Sequence, residues 1–416
     1  MTTSAAVVFK HAKIFDGESP GLRAGQMVRV VGGSIEEIGP QVPVADADVF
    51  DCGGRVLMPG LIDAHVHVYA ASLNVGRLAR TPFSYLALFA ARSLRASLDR
   101  GFTTIRDVGG ADVGLACALR EGLAGLVPRL FYGGRVISQT GGHGDFRPGD
   151  HQLDDAIPCG CAAHADAMAV IADGADAVRR AVREELRRGA SHIKLMASGG
   201  VVSPTDPLEC CQYSDDEIRA AVEEATRAGS YVATHCHPAA AVRRSAELGV
   251  RSIEHATLVD APTAEFVAER GAFVVPTMAT AAALAQDGAA LGLPPASVDK
   301  LHRIADRSLG ALSLLKAAGV RMGFGTDLLG PQQDRQCSEF SLRAQALPTL
   351  DILRSATSVN ADLLGQAGRL GCIKVGAAAD LLVVNGNPLD DIGLLAQSGA
   401  ALAVIMAQGK FHKRAS

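Results

Sequence analysis

The sequence predicts an α/β protein, a (β/α)₈ TIM-type barrel with a small β-sandwich built from both termini. Eight short, largely apolar runs alternate with longer amphipathic stretches through the middle of the 416-residue chain. This alternation is typical of a parallel sheet covered by helices, and eight such units close naturally into a barrel. Both ends of the chain differ from the middle, because they contain short strands separated by turns.

The eight apolar runs are the predicted strands of a barrel domain that we expect over residues 59–367. They are residues 60–68, 103–108, 130–137, 192–197, 231–235, 252–255, 273–276 and 322–325. One amphipathic stretch between them begins at Ser214, and Glu217 three positions later completes a capping-box pattern. A doubly wound open sheet is the competing fold, but no Gly-x-Gly-x-x-Gly follows the first strand.

The predicted sandwich combines residues 1–58 with residues 368–416. Its strand candidates are residues 6–9, 27–31, 35–38, 379–384 and 401–407. Repeats, low-complexity tracts and long linkers are absent from the sequence. We therefore expect one barrel with a single accessory β module.

Composition and charge exclude several kinds of partner. Apolar residues make up 48% of the chain and charged residues 20%, as in soluble globular enzymes. A net charge of −4 gives no electrostatic reason to bind nucleic acid or an anionic membrane. The first ten residues lack the basic and apolar segments of a signal peptide, and no apolar run is long enough to span a bilayer. We therefore expect a cytoplasmic protein that acts on a small molecule.

The nine cysteines are an odd number at irregular spacings, which fits reduced thiols better than a disulfide framework. Two close pairs occur, Cys159 with Cys161 and Cys210 with Cys211. Neither has a partner pair at zinc-finger spacing, so the sequence disfavours a structural zinc site.

Lysine is rare in this chain, with eight lysines against 32 arginines. Between Lys13 and Lys300 the only lysine is Lys194, which lies in a strand-like apolar run. An ammonium group can lose its proton when it is desolvated, whereas a guanidinium group cannot. Lys194 is therefore either a buried, ion-paired residue without chemistry or a reactive amine.

Polar residues recur at the carboxyl ends of the predicted barrel strands, where this fold places its chemistry. They are His65 and His67 in the first strand, Lys194 in the fourth, His235 in the fifth, His255 in the sixth and Asp327 after the eighth. Residues i and i+2 of a strand point to the same face, so the first two imidazoles converge. One such histidine alone is more often a hydrogen-bonded core residue, but six matching positions indicate a metal centre.

Two neighbouring divalent cations need a bridging anion, which four neutral imidazoles do not supply. An amine that has reacted with carbon dioxide becomes an anionic carbamate, which would explain a lysine at position 194. Water bridging the metals would be acidified towards hydroxide, and Asp327 would orient it, accept its proton and pass that proton to the departing amine. We expect zinc, although manganese and cobalt also suit mixed imidazole and oxygen ligands. The implied reaction is metal-assisted hydrolysis of an amide or related bond.

Several motifs around these residues resemble those of a known family. They are GLIDAHVH (60–67), TIRDVG (104–109), TGGHGD (140–145), KLMASGG (194–200), SPTDP (203–207), QYS (212–214), IEH (253–255) and GAAADL (376–381). On these motifs the chain resembles the amidohydrolase superfamily. Within it, the chain is similar to the imidazolonepropionase-related branch, which contains metal-dependent Xaa-Pro and Xaa-Arg/Lys dipeptidases and N-acyl amino acid amidohydrolases. The resemblance implies two divalent metals, a carboxylated Lys194 and a homo-oligomer.

The resemblance also implies residues that hold the substrate and its free carboxylate. They are His143 in the glycine-rich loop and His237, two positions beyond the fifth-strand ligand. We also expect His143 to take part in catalysis and Tyr213 to contact the substrate. A plain turn histidine is the alternative at position 143. The family pattern has tyrosine at position 237, where this chain has histidine. A second departure from the family pattern begins at Glu209. The identity of the substrate therefore stays open.

Other polar residues have less specific interpretations. His235 and His237 face the same side of their strand and could exchange roles, but the match to the family pattern favours His235 as the ligand. Glu254 is expected on the opposite strand face, in a structural pairing. The remaining histidines, interpreted as structural or solvated, are His11, His151, His164, His192, His302 and His412.

The leading hypothesis is a binuclear metal-dependent hydrolase that cleaves the amide bond of a dipeptide or an N-acyl amino acid with a free C-terminal carboxylate. The alternative keeps the fold and metals but acts on a cyclic amide, carbamate or urea. A catalytically inactive barrel used as a scaffold is disfavoured, because all six ligand positions are filled.

Overall fold

A computed structural model describes residues 6–74, 77–78, 80–147, 168–203, 206–293 and 295–415. Six residues named from the sequence lie outside these ranges: His151, Cys159, Cys161, His164, and Pro204 and Thr205 of the SPTDP motif. The cysteines inside the described ranges are all free thiols. None of the described helices combines the length and hydropathy needed to cross a bilayer.

Strands from both ends of the chain form one eight-stranded sheet, where the sequence predicted a small sandwich built from both termini. The strands are β1 (Ala6–Ile14), β2 (Arg23–Val31), β3 (Ser34–Gly39), β4 (Ala47–Asp51), β5 (Val56–Pro59), β16 (Leu381–Val384), β17 (Leu402–Ala407) and β18 (Lys410–Arg414). Their order is β18-β17-β16-β5-β1-β2-β3, with β4 also paired to β1. β5 joins the two ends, because it pairs parallel with β1 and antiparallel with β16. The exact domain boundaries at residues 58 and 368 stay predictions.

This terminal sheet buries its own apolar core. Phe9, Leu57, Val383 and Met406 come from strands distant in sequence and belong to one buried cluster. Removing such side chains from water is the main favourable term in folding, at about 25 cal/mol per Å². The two ends of the chain therefore stabilise each other.

The eight predicted barrel strands are all present, and the fold class is confirmed. They are β6 (Leu61–Val66), β7 (Phe102–Asp107), the split pair β8 (Arg129–Tyr132) and β9 (Val136–Ser138), β11 (Ile193–Met196), β12 (Val232–Pro238), β13 (Ser252–Leu258), β14 (Phe273–Val275) and β15 (Arg321–Met322). Neighbouring strands pair in parallel. An additional strand, β10 (Ala169–Ile171), pairs in parallel with β9 at the edge of the seven-stranded sheet.

The third barrel strand is split into β8 and β9, which pair with different neighbouring strands. β8 pairs with β7, whereas β9 pairs with β11. Between them Gly134 has φ 71°, a left-handed conformation that favours glycine, and a Cβ there would lie 2.2 Å from Glu185 Oε2. On the other side, the amides of Ala64 and Asp327 donate to the carbonyls of Phe324 and His65, both at 2.8 Å. These bonds close the barrel.

Helices follow the strands and cover the outside of the barrel. They are α1 (Phe83–Asp99), α2 (Val113–Arg120), α3 (Ala175–Arg187), α4 (Asp215–Arg227), α5 (Ala239–Glu247), α6 (Ala261–Glu269), α7 (Met278–Asp287), α8 (Pro295–Ala317), α9 (Ser338–Arg343), α10 (Thr349–Arg354) and α11 (Asn360–Leu363). The capping box of Ser214 and Glu217 starts α4, as predicted. Two helices, α7 and α8, follow the seventh strand and contribute side chains to the mouth of the barrel.

Candidate active site

A cleft of about 1030 Å³, its open mouth included, contains the polar residues predicted at the strand ends. All six predicted metal ligands line it, together with two predicted substrate residues: His65, His67, Lys194, His235, His255, Asp327, His143 and His237. Its remaining surface is largely apolar, with side chains from α7, α8 and the third and fourth strands. The fold therefore brings these eight residues into one site.

His65, His67 and Asp327 form a group that fits a metal ion. Nε2 of each imidazole lies 3.4 Å from Asp327 Oδ1, and one donor atom from each residue lies within 4.8 Å of the others. The opposite ring nitrogens are occupied, because Nδ1 of His65 lies 2.7 Å from Glu254 Oε2 and Nδ1 of His67 lies 2.8 Å from the Gly109 carbonyl. Such partners fix the ring orientation and leave Nε2 to bind a metal.

Asp327 follows the eighth strand in a left-handed conformation, with φ 52°. This conformation is uncommon outside glycine and is found at functional sites that the surrounding structure holds in place. Burial opposes ionisation, but the neighbouring His65 and His67 outweigh it and lower the pKa of the Asp327 carboxyl. The side chain is therefore a carboxylate at neutral pH, as a metal ligand or a base requires.

Lys194 lies in β11 with 1% of its surface exposed. Burial lowers the pKa of its amine to about 8, against the attraction of Glu254 and Asp327. A neutral amine, the form that reacts with carbon dioxide, is therefore accessible near physiological pH. This favours the reactive interpretation of Lys194.

The remaining imidazoles form a contiguous group beside the first. The ring of His235 lies 4.6 Å from that of His255, 4.7 Å from that of His237 and 4.3 Å from that of His143, between centroids. His255 also lies 4.9 Å from His65, so the rings connect the first strand to the fifth. Burial holds the pKa values of His235 and His255 well below the usual histidine range. Neutral imidazole is the form that binds metals.

The prediction that Glu254 points to the strand face opposite His255 is wrong, because both side chains lie in the barrel interior. The predicted structural pairing of Glu254 is present. Regular alternation places Glu254 and His255 on opposite faces, but His255 has φ 71°, which turns its side chain into the same interior. Glu254 accepts a hydrogen bond from His65 Nδ1 and two from Arg106 Nη2, at 2.9 and 3.0 Å. Both Glu254 and Arg106 are fully buried. Arg106 thus fixes the carboxylate that orients His65.

We expect Glu254→Gln to weaken metal binding about 10- to 100-fold, because an amide replaces the anionic acceptor of His65. Competition with a chelator measures the affinity. The matched control is Glu339→Gln, which breaks a second fully buried pair, with Arg343 at 2.6 Å, that contacts no predicted ligand. Both variants should lose stability. Equal metal affinities in the two variants would rule out a specific role for Glu254.

His143 and Tyr213 differ in where the structure places them. His143 lines the cleft, donates from Nδ1 to Asp206 Oδ2 at 3.2 Å, and donates its backbone N–H to Gln212 Oε1 at 2.9 Å. Tyr213 does not line the cleft, and its hydroxyl donates to the Ala172 carbonyl at 3.0 Å. Its predicted substrate contact is therefore not supported. Gln212, which precedes Tyr213, was assigned no role from the sequence. Its side-chain oxygen accepts the backbone N–H of His143 and so helps to hold that residue.

Two threonines that contact predicted site histidines were also missed. Thr277 Oγ1 lies 2.7 Å from Nδ1 of His255, and Thr257 Oγ1 lies 2.6 Å from Nδ1 of His237. Both threonines line the cleft. No motif in one sequence signals these partners, because they come from neighbouring strands that only the closed barrel brings together.

The comparison with known families identifies the chain. The model of the amidohydrolase family matches residues 56–411, from the last strand before the barrel to the final strand. The chain belongs to the amidohydrolase family. It is a metal-dependent amidohydrolase, and the resemblance predicted from the motifs is confirmed.

Three relatives show which amidohydrolases are similar. Ochratoxinase from Aspergillus niger is 34% identical over 373 residues, covering 86% of this chain and 76% of that protein. The crystal structure of a prolidase complexed with N-methylphosphonate-L-proline is 45% identical, with a TM-score of 0.94 over 98% of this chain and 100% of that chain. A Xaa-Pro dipeptidase with methionine bound in its active site is 27% identical, with a TM-score of 0.85 and the same coverage. The prolidase-like branch is thus supported.

Proposed function

We propose that this amidohydrolase is a binuclear enzyme that cleaves the amide bond of a dipeptide or N-acyl amino acid with a free C-terminal carboxylate. The observation that carries the proposal is the group of His65, His67 and Asp327 beside a buried lysine in one cleft. The similarity to a prolidase, a Xaa-Pro dipeptidase and an ochratoxinase supports this reaction class.

The donor set fits two divalent metal ions, with zinc as the expected metal. His65, His67 and Asp327 would hold one ion, His235 and His255 the other, and a carboxylated Lys194 would supply an anionic ligand to both. Such ions acidify water and polarise a carbonyl group. We assign to Asp327 the transfer of a proton from the attacking water to the departing amine.

Two imidazoles are proposed to bind the free carboxylate of the substrate. Nδ1 of His237 is occupied by Thr257, which leaves its Nε2 for a ligand. Nδ1 of His143 donates to Asp206, so Nε2 of His143 donates to a carboxylate only in the protonated imidazolium form. Burial lowers the pKa of His237 to about 3, so its ring is neutral and donates from Nε2 when Nδ1 accepts the Thr257 hydroxyl. The described residues that line the cleft include no arginine, so the usual bidentate partner of a carboxylate is absent from this part of the wall.

The apolar walls favour a substrate with apolar groups beside the amide. Two separate buried clusters reach the cleft, and each can remove an apolar side chain from water. The lining residues are Leu284, Leu301 and Ile304 in the first cluster and Val136, Phe146 and Met196 in the second. We therefore expect proline, leucine or phenylalanine to be accepted better than arginine or lysine.

A substrate panel with metal analysis tests this function. We expect about two divalent ions per chain and hydrolysis of Xaa-Pro dipeptides or of N-acyl leucine or phenylalanine. Each substrate is paired with its C-terminal amide, which removes only the carboxylate charge. The free acids should react about 100-fold faster, the equivalent of one or two charge-assisted hydrogen bonds.

The opposite results are equally informative. Equal rates on the acids and their amides would contradict the carboxylate-binding role. Hydrolysis of cyclic amides, carbamates or ureas alone would instead support the alternative reaction. The homo-oligomeric state and the cytoplasmic location stay predictions from the sequence.

A further inference from the structure

Lys300, on helix α8, directs its ammonium at three main-chain carbonyls. Nζ lies 3.1 Å from the oxygen of Gly200, 2.7 Å from that of Ser203 and 2.6 Å from that of Asp206. Only 13% of the lysine side chain is exposed. One side chain therefore ties the residues that follow the fourth barrel strand to a helix that follows the seventh. We call residues 200–203 and 206 the Lys300-bound segment.

The choice of lysine at this position is informative, because the chain otherwise prefers arginine. Between Lys13 and Lys316 it has two lysines, Lys194 and Lys300. An ammonium group presents three N–H donors around one atom, whereas the guanidinium donors lie in a plane. Three carbonyls that converge on one point match the donors of an ammonium group and not those of a guanidinium group.

The Lys300-bound segment contacts a predicted substrate residue. Gly200 lies against the ring of His143 so closely that a Cβ would be 2.2 Å from Cε1. The Gly200 amide donates to Asp206 Oδ2 at 3.0 Å, and the same oxygen lies 3.2 Å from Nδ1 of His143. The His143 ring in turn stacks on His235, with centroids 4.3 Å apart and planes 23° apart. The position of this segment therefore sets the position of His143.

We propose that Lys300 is a positioning residue for amide hydrolysis, acting by holding the Lys300-bound segment against His143. Lys300 itself does not line the cleft. The inference rests on the proposed function, because the position of His143 affects turnover only when a substrate binds there. Val201 and Val202, in the same segment, line the cleft, so its displacement also reshapes the apolar wall.

Three substitutions test the proposal on the purified, metal-loaded full chain. Lys300→Met keeps most of the side-chain volume, Lys300→Arg keeps the charge, and Lys300→Ala leaves space for a small amine. All three should lower kcat/KM about 10-fold or more, since small displacements of a substrate-positioning group have effects of this size. Metal content should equal that of the wild type. Propylammonium should restore activity to Lys300→Ala, and guanidinium should not.

Hydrogen exchange provides a readout that does not depend on activity. The Gly200 amide should exchange faster in Lys300→Met, because the residues around its acceptor Asp206 are released. The control is Arg307→Met, which removes a positive charge from an exposed position of the same helix and should leave exchange and kcat/KM unchanged.

Wild-type exchange at Gly200 in Lys300→Met would overturn the proposal. Full activity of Lys300→Arg, or a lower melting temperature with unchanged kcat/KM, would overturn it as well. A wild-type protein that hydrolyses no amide would defeat the proposed function, whereas the exchange result would still decide whether Lys300 holds the segment.

Discussion

Replacing Lys194 by alanine is expected to abolish binuclear metal binding and to lower kcat/KM about 10³-fold or more, the equivalent of about 4 kcal/mol in the barrier. The reason is the loss of the one anionic ligand that both ions would share. The pKa of the Lys194 amine, lowered by burial to about 8, means that the reactive neutral form increases as pH rises through that value. Reconstitution of metal-free protein with zinc at a fixed concentration of dissolved carbon dioxide should therefore become faster between pH 7 and 9.

The Lys194 experiment has two controls. Lys410→Ala removes an exposed lysine from β18 and should bind metal as the wild type does. Formate, acetate or propionate, added to Lys194→Ala with zinc, should restore part of the metal content, because a carboxylate can occupy the place of the carbamate. Wild-type metal content in Lys194→Ala without any added acid would refute the carbamate.

Replacing Asp327 by asparagine is expected to lower kcat about 10²- to 10⁴-fold, the usual range for loss of a general base. The amide oxygen of asparagine can still occupy a ligand position, but it cannot take a proton at neutral pH. Metal analysis should therefore show content close to that of the wild type. The variant separates proton transfer from metal binding, which Lys194→Ala does not.

Asp299→Asn, at an exposed position on α8, controls for the loss of a carboxylate elsewhere. Near-normal kcat in Asp327→Asn would remove the proton-transfer role. Loss of metal together with activity would instead make Asp327 chiefly a ligand, in agreement with its 3.4 Å distances to both first-strand imidazoles.

The barrel could be predicted from the sequence because each strand is a short apolar run between amphipathic stretches. Local pattern did not reveal the split in the third strand, where Gly134 interrupts an otherwise continuous run. Nor did it reveal β10, which pairs with β9 at the edge of the seven-stranded sheet. These features depend on pairing partners that are distant in sequence.

The candidate site was predictable where chemistry limits the residue type. His65, His67 and Asp327 were singled out because few other side chains bind metals, and Lys194 because lysine is rare in this chain; the structure places all four in one cleft. The error at Glu254 arose from applying strict alternation to a strand whose next residue, His255, has a left-handed backbone. Tyr213 belongs to a motif that adjoins the site, but its side chain does not line the cleft and its hydroxyl donates to the Ala172 carbonyl.

The junction between the terminal sheet and the barrel has a consequence for biosynthesis. Only Gly60 separates β5 from β6, which leads to His65, and the Gly60 amide donates to the carbonyl of Asp380 at 2.8 Å. A growing polypeptide lacks β16, the neighbour of β5, until residue 384 has left the ribosome. Since domains form their non-local pairings late, the strand that bears the first imidazoles gains its full support only near the end of translation. His65 and His67 are therefore expected to reach their final positions only after the C-terminal strands have been made.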